Sequence, residues 1–243
     1  MTANSTTEKL QNHQCEFIEG ALATGALKFG SFTLKSGRTS PYFFNAGLLS
    51  TGPLISAVAT SYATLISQLS SSPTSPLQFD VLFGPAYKGI PFVAATALEL
   101  YKSHGISVGY AFDRKEAKAH GEGGMMVGSS VQGKRVIILD DVMTAGTAIR
   151  QSIDLVKAQG GNVVGIVLLL DREEVAGGVN PSPDERSTVE DVEKLLGGEV
   201  RVLPTLRMRE LMAWLEEKGK HEDLESMKTY RARYGVDRNK DSA

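Results

Sequence analysis

The apolar positions of this chain follow two rhythms. FDVLFGP, ISVGYAF, KRVIILDD, NVVGIVLLLD and EVRVLPT are short, β-rich runs, most of them apolar on both faces, as strands inside a parallel sheet are. Between them apolar residues fall at helical spacing. Thr147 to Gln159 puts Ile149, Ile153 and Val156 on one stripe and stops at Gly160 and Gly161, while Ile90 to His104 stops at Gly105. This alternation predicts an α/β fold, a mostly parallel central sheet flanked by helices, with ligands at the carboxyl ends of the strands. Upstream, FTLKSGRTSPYFFNAG has β-prone runs around a Ser-Gly-Arg turn and predicts a hairpin appended as a small hood. Ser70 to Pro76 and Ala176 to Ser187 are polar Pro/Ser/Gly loops.

Composition narrows the function classes. The 243 residues suit one α/β domain, so residues 1–243 are expected to form a single unit. A formal net charge of -2 and a pI near 6.1 give no global positive field for nucleic acid or an anionic membrane, so any phosphate binding must be local. Cys15 stands alone, which excludes an intrachain disulfide and fits a reducing compartment. MTANSTTEKLQNHQ lacks the apolar centre of a signal peptide, and Val163 to Leu170 is too short to cross a bilayer, so the expected location is cytoplasmic. His13, His104 and His221 have no metal spacing and read as surface residues; Trp214, in RELMAWLEEKGK, reads as packing. Neither G-x-x-x-x-G-K-[ST] nor G-x-G-x-x-G after a strand is present.

The stretch VIILDDVMTAGTAIR carries the most chemistry. Four apolar residues run into Asp140 and Asp141, and Thr144 to Thr147 then opens a helix with small residues and hydroxyls. Free N–H groups at a helix N-terminus suit a phosphate, whereas adjacent carboxylates suit sugar hydroxyls. One ligand with both groups is a ribose 5-phosphate. Helix capping by Thr144 or Thr147 accounts for one threonine or one acid, but a second acid beside a core costs stability.

Other segments are less specific alone. In LFGPAYKGIP, Tyr87 and Lys88 follow a Gly-Pro turn, which suits a diphosphate or is simply a strand-to-helix turn with a solvated Lys. DRKEAKAHGEGGMMVG gathers Arg114, Lys115, Lys118 and His120 next to glycine hinges, and alone it equally describes a solvated loop. Lys35 reads as a strand-end Lys, and Phe43 with Phe44 as packing. Arg172, at the end of VLLLD, suits a carboxylate held bidentately or a surface ion pair.

Taken in order, FTLKSGRTSPYFFN, LFGPAYKGIP, DRKEAKAHGEGG, VIILDDVMTAGTAIR and LLLDRE resemble the type I phosphoribosyltransferases, and among them the orotate phosphoribosyltransferase family, over roughly Glu16 to Tyr234. The resemblance implies a type I phosphoribosyltransferase fold with a hood at roughly 16–50 and a flexible catalytic loop at roughly 113–124. It implies transfer of ribose 5-phosphate from 5-phospho-α-D-ribose 1-diphosphate to orotate, giving orotidine 5'-phosphate and diphosphate in pyrimidine (UMP) biosynthesis. Lys35, Tyr87, Lys88, Arg114, Lys115, Lys118, His120 and the run Asp140, Asp141, Val142, Met143, Thr144, Ala145, Gly146, Thr147, Ala148 would bind the phosphoribosyl diphosphate. Lys35, Phe43, Phe44, Thr144 and Arg172 would bind orotate. Lys118, Asp141, Asp140, His120 and Arg114 would carry the chemistry, with Lys118 of largest effect. It further implies a homodimer in which Arg114, Lys118 and His120 reach the neighbouring subunit's site while Lys115 serves its own. Mg2+ would be carried by the substrate diphosphate, with no protein metal ligand. Competing readings are a phosphoribosyltransferase for a purine or uracil, which would not need Arg172 or the Phe43–Phe44 segment, and a nucleic-acid-binding regulator, against which the intact cationic loop argues.

Overall fold

The computed structural model describes residues 10–114, 125–182, 186–198 and 200–236. Its core is a six-stranded sheet built from β3 (Val81–Gly84), β4 (Gly109–Asp113), β5 (Met126–Gly128), β6 (Arg135–Val142), β7 (Asn162–Asp171) and β8 (Val202–Arg207). The spatial order is β5-β4-β3-β6-β7-β8; every pairing is parallel except β4 with β5. The five runs expected as strands are therefore strands, and β5 is the addition. Three residues after a glycine-rich stretch are too few to show a period.

Both faces of the sheet are covered, which is why its strands lack clean polar alternation. Leu82, Ile137, Leu139, Val167 and Leu169 point into one apolar cluster, together with α1 (Asn12–Ala23), α2 (Gly52–Ser70) and α3 (Gly89–His104). The last two helices, α6 (Met208–Glu217) and α7 (His221–Tyr234), join the same cluster, and Trp214 is buried there as expected. Val81, Phe83, Ile138, Ile166 and Leu168 point the other way, against α4 (Thr147–Ala158) and α5 (Thr188–Leu195). Ile149, Ile153 and Val156 are the buried stripe of α4. Gly105 and Gly160 both sit at positive φ where α3 and α4 end, the left-handed stop that glycine adopts at no steric cost. Among the described residues no helix is long and apolar enough to cross a membrane.

The hood is an antiparallel ribbon of β1 (Leu27–Thr33) and β2 (Thr39–Phe44), pairing Leu27 with Phe44 and Lys28 with Phe43. It begins earlier than FTLK suggests, because half of its residues are exposed and its pattern is diluted. Arg38, at the ribbon's turn, is 2% exposed. Its guanidinium donates to the carbonyls of Gly178 (2.8 Å), Val175 (3.0 Å) and Ala176 (2.9 Å) and lies 4.5 Å over the Tyr234 ring. One arginine thus joins the ribbon, the 175–178 segment and α7. His13 corrects its surface reading: its ring is half-buried between Ser61 and Gln11, and burial pushes its pKa down.

Candidate active site

Chain order places a crevice between β3 and β6. From β3 the chain runs outward to β4, then returns to lay β6 on the other side of β3. In open α/β sheets ligands bind outside the carboxyl ends of strands at such a reversal. The segments that leave these ends are 85–88 and 143–146, the second directly after the acid pair that closes β6.

Gly84 and Gly89 bring the two sides of the first turn into contact. A Cβ on Gly84 would lie 2.3 Å from the Gly89 carbonyl oxygen, so this turn is closed by missing side chains. It contains a cis Ala86–Tyr87 peptide, leaves Tyr87 72% exposed and puts Lys88 at the start of α3. The Ala86 N–H donates to the Asp113 carboxylate, tying the turn to the end of β4.

At the end of β6 the backbone N–H of Asp141 donates to Asp140 Oδ1 and that of Val142 to Asp141 Oδ1, each at 2.9 Å. Lys88 Nζ crosses the crevice to Asp141 Oδ2 at 2.6 Å, so this Lys is paired rather than merely solvated. Tyr62, fully buried, donates to the Asp140 carbonyl oxygen at 2.7 Å and fixes the strand end from below. Burial first, then the charge of Asp141, pushes the Asp140 carboxyl up to about 7. Two carboxylates therefore crowd one strand end, and the raised Asp140 carboxyl reflects it.

Met143 is buried beneath the second turn, while Thr144, Ala145, Thr147 and Ala148 are exposed around it. Gly146 is the N-cap of α4 at φ 72 and, as glycine, brings no side chain to cap it. Neither Thr144 nor Thr147 occupies the cap position that sequence offered them. Thr188 Oγ1 instead donates to the Thr144 carbonyl at 2.7 Å and holds the turn from α5. A Cβ on Gly146 would meet Thr188 Cγ2 at 2.8 Å, so steric room as well as φ selects glycine.

On the neighbouring strand β7, Arg172 follows Asp171. Its Nε donates to Glu174 Oε1 at 2.8 Å, its Nη2 to Ser40 Oγ at 2.9 Å, and its guanidinium lies 4.2 Å over the Tyr42 ring. The ion pair that sequence offered as an alternative to carboxylate binding is present, but it is largely buried rather than on the surface. Lys35 is exposed at the ribbon's turn. The strand sends Phe43 and Phe44 to opposite faces. Phe43 is 39% exposed with its ring 5.6 Å from that of Phe32, while Phe44 turns inward, edge-on to Phe17 at 6.1 Å. Arg114 leaves β4 with its N–H bonded to the Met125 carbonyl at 2.7 Å. Lys115, Lys118 and His120 lie outside the described residues.

A model of the phosphoribosyl transferase domain matches residues 55–189. An orotate phosphoribosyltransferase of Acinetobacter baumannii (strain ACICU) is 49% identical over 230 residues, covering 95% of this chain and 100% of its own. One from Vibrio parahaemolyticus is 47% identical over 228 residues, covering 93% and 100%. The chain belongs to the orotate phosphoribosyltransferase family. In agreement, the crystal structure of the Francisella tularensis orotate phosphoribosyltransferase aligns at a TM-score of 0.76 and 40% identity over 90% of this chain and 99% of that one.

Within this member of the family, sequence reasoning gave no role to Arg38, Ser40, Tyr62 or Glu174. Arg38 and Ser40 stand inside FTLKSGRTSPYFFN, and Glu174 follows LLLDRE; the pairs Arg38–Glu174, Arg38–Val175 and Ser40–Arg172 join residues more than a hundred positions apart. No periodic pattern reports such pairs. Only the packing of the ribbon on β7 and α7 does.

Proposed function

We propose that this chain transfers ribose 5-phosphate from 5-phospho-α-D-ribose 1-diphosphate to a ring nitrogen of orotate. The observation that carries the reading is the meeting, at the sheet's reversal point, of the Asp140–Asp141 pair, Lys88 and the uncapped N-terminus of α4. The first-turn N–H groups of α4 suit the 5-phosphate. Asp140 and Asp141 suit the ribose hydroxyls, and their negative charge suits the positive charge that develops on the sugar as its bond to diphosphate lengthens. Tyr87 and Lys88 then face the diphosphate. Arg172 supports a carboxylate-bearing base over uracil or a purine, with exposed Phe43 as a flat apolar wall and Phe44 as its inward support.

Among the described residues no three His, Cys, Asp or Glu side chains form a metal cluster, and a carboxylate pair fits hydroxyls or one open edge of an ion bound elsewhere. Asp140 and Asp141 would approach Mg2+ brought by the diphosphate, and the ion would neutralise charge gathering on the leaving group. Arg114, Lys118 and His120 would meet the same charge from the neighbouring subunit, with Lys115 serving its own. A homodimer is supported by exposed Leu98 and Tyr101 on one side of α3 and Tyr110 on β4, which leads into the cationic segment. A cytoplasmic location fits the single cysteine.

A base screen tests the reading: wild type and Arg172→Ala are given orotate, uracil or hypoxanthine with phosphoribosyl diphosphate, and nucleotide is measured. Orotate alone should be consumed by the wild type, and Arg172→Ala should lose that preference. Turnover of hypoxanthine or uracil with orotate ignored would overturn it.

A further inference from the structure

We propose that Glu174 is a positioning residue for Arg172, presenting one edge of its guanidinium to the carboxylate of the base; this rests on the role given to Arg172 above. Asp171 Oδ1 accepts the Glu173 N–H at 2.8 Å, and Glu173 sits at φ 49, a left-handed conformation rare for a residue with a side chain. The turn sends Glu173 toward α6, where its carboxylate accepts the Arg209 N–H at 3.1 Å and pairs with the Arg209 guanidinium at 2.8 Å. Arg172 and Glu174 are thereby left side by side, both nearly buried.

Donor counting gives the geometry a direction. A guanidinium has five N–H donors. Glu174 Oε1 lies against Nε (2.8 Å) and Nη2 (2.7 Å), and Ser40 accepts from Nη2 as well. The Nε edge is thus committed, and the two donors on Nη1 bond to neither Glu174 nor Ser40. A planar carboxylate can approach that end, using Nη1 and sharing Nη2 with the Ser40 hydroxyl. Glu174 is itself fixed through its second oxygen, which accepts from Tyr230 Oη at 3.0 Å and pairs with Arg38 Nη1 at 3.4 Å. Ser40 and the Tyr42 ring hold Arg172 directly from the ribbon, while Glu174 holds its Nε edge and links it to Arg38 and to Tyr230 on α7. Without Glu174, Arg172 would keep its charge and its Ser40 contact but lose the partner that fixes its Nε edge.

The experiment uses the full chain in steady-state assays. Glu174→Gln should raise the KM for orotate on the order of tenfold while the KM for phosphoribosyl diphosphate stays within about twofold. Tyr230→Phe, which removes the hydroxyl that bonds to Glu174 and also interacts with Arg172, should raise the same KM by about threefold. In an Arg172→Ala background Glu174→Gln should add less than about twofold, because the two residues act as one unit. Circular dichroism establishes that each variant is folded, and if Glu174→Gln is not, Tyr230→Phe and its cycle with Arg172→Ala carry the test. An unchanged orotate KM in the folded variants, an equal rise for both substrates, or full additivity with Arg172→Ala would overturn the proposal. A wild type that does not consume orotate would overturn the underlying functional reading instead.

Discussion

Asp140→Asn should stabilise the protein and inactivate it. The Asp140 carboxyl rises from an ordinary 3.8 to about 7, through burial and then through Asp141. The folded state thus holds this proton more tightly than the unfolded chain does, and the resulting stability is complete below pH 3.8 and lost as pH rises through about 7. At about 1.4 kcal/mol per tenfold in proton affinity, the folded protein gives up on the order of 4 kcal/mol by pH 8. Asparagine keeps an oxygen for the Asp141 N–H and carries no charge, so it avoids most of that loss. Urea unfolding at fixed protein concentration should place Asp140→Asn about 2 to 4 kcal/mol above wild type at pH 8, closing to within about 0.5 kcal/mol near pH 4. Turnover should fall about a hundredfold, since the transition-state sugar loses a negative neighbour. A stability difference independent of pH, or a variant less stable than wild type at pH 8, would refute the reasoning.

Gly84→Ala forces a Cβ to 2.3 Å from the Gly89 carbonyl and should cost about 3 kcal/mol or more, read as a fall in the thermal midpoint; a fall below about 2 °C would show that the turn relaxes freely. Arg38→Met removes the guanidinium from three carbonyls and one of the donors from Glu174 and should cost about 3 kcal/mol in urea unfolding, with under 1 kcal/mol counting against a locking role for Arg38. Mixing inactive Lys118→Ala with inactive Asp141→Asn should restore part of the activity through shared sites in a heterodimer. No recovery despite demonstrated subunit exchange would count against a loop working across subunits.

The parts of the fold that bury apolar surface were readable along the chain. β6 and β7 are apolar on both sides because helices cover both sides, and the stripe of α4 is the stripe that packs. Glycine stops at Gly105 and Gly160 were readable because only a left-handed residue ends those helices without strain. The acid pair was legible for an energetic reason: nothing in folding asks for Asp140 beside Asp141, and the raised Asp140 carboxyl is that cost made visible. Long-range polar pairs were not legible. Lys88 reads as solvated until β3 and β6 are neighbours, and Arg172 reads as either an ion pair or a carboxylate holder until Glu174 makes the buried pair compatible with both. Phe43 and Phe44 form one motif in sequence, but strand alternation separates them into an exposed ring and an inward one.

The central claim is most directly tested by diphosphate release from 5-phospho-α-D-ribose 1-diphosphate, followed with and without orotate and with Mg2+ present or chelated. Release should require orotate, yield orotidine 5'-phosphate in equal amount, stop on chelation and return when Mg2+ is restored. Release without orotate, or none with orotate and Mg2+ both present, would contradict it.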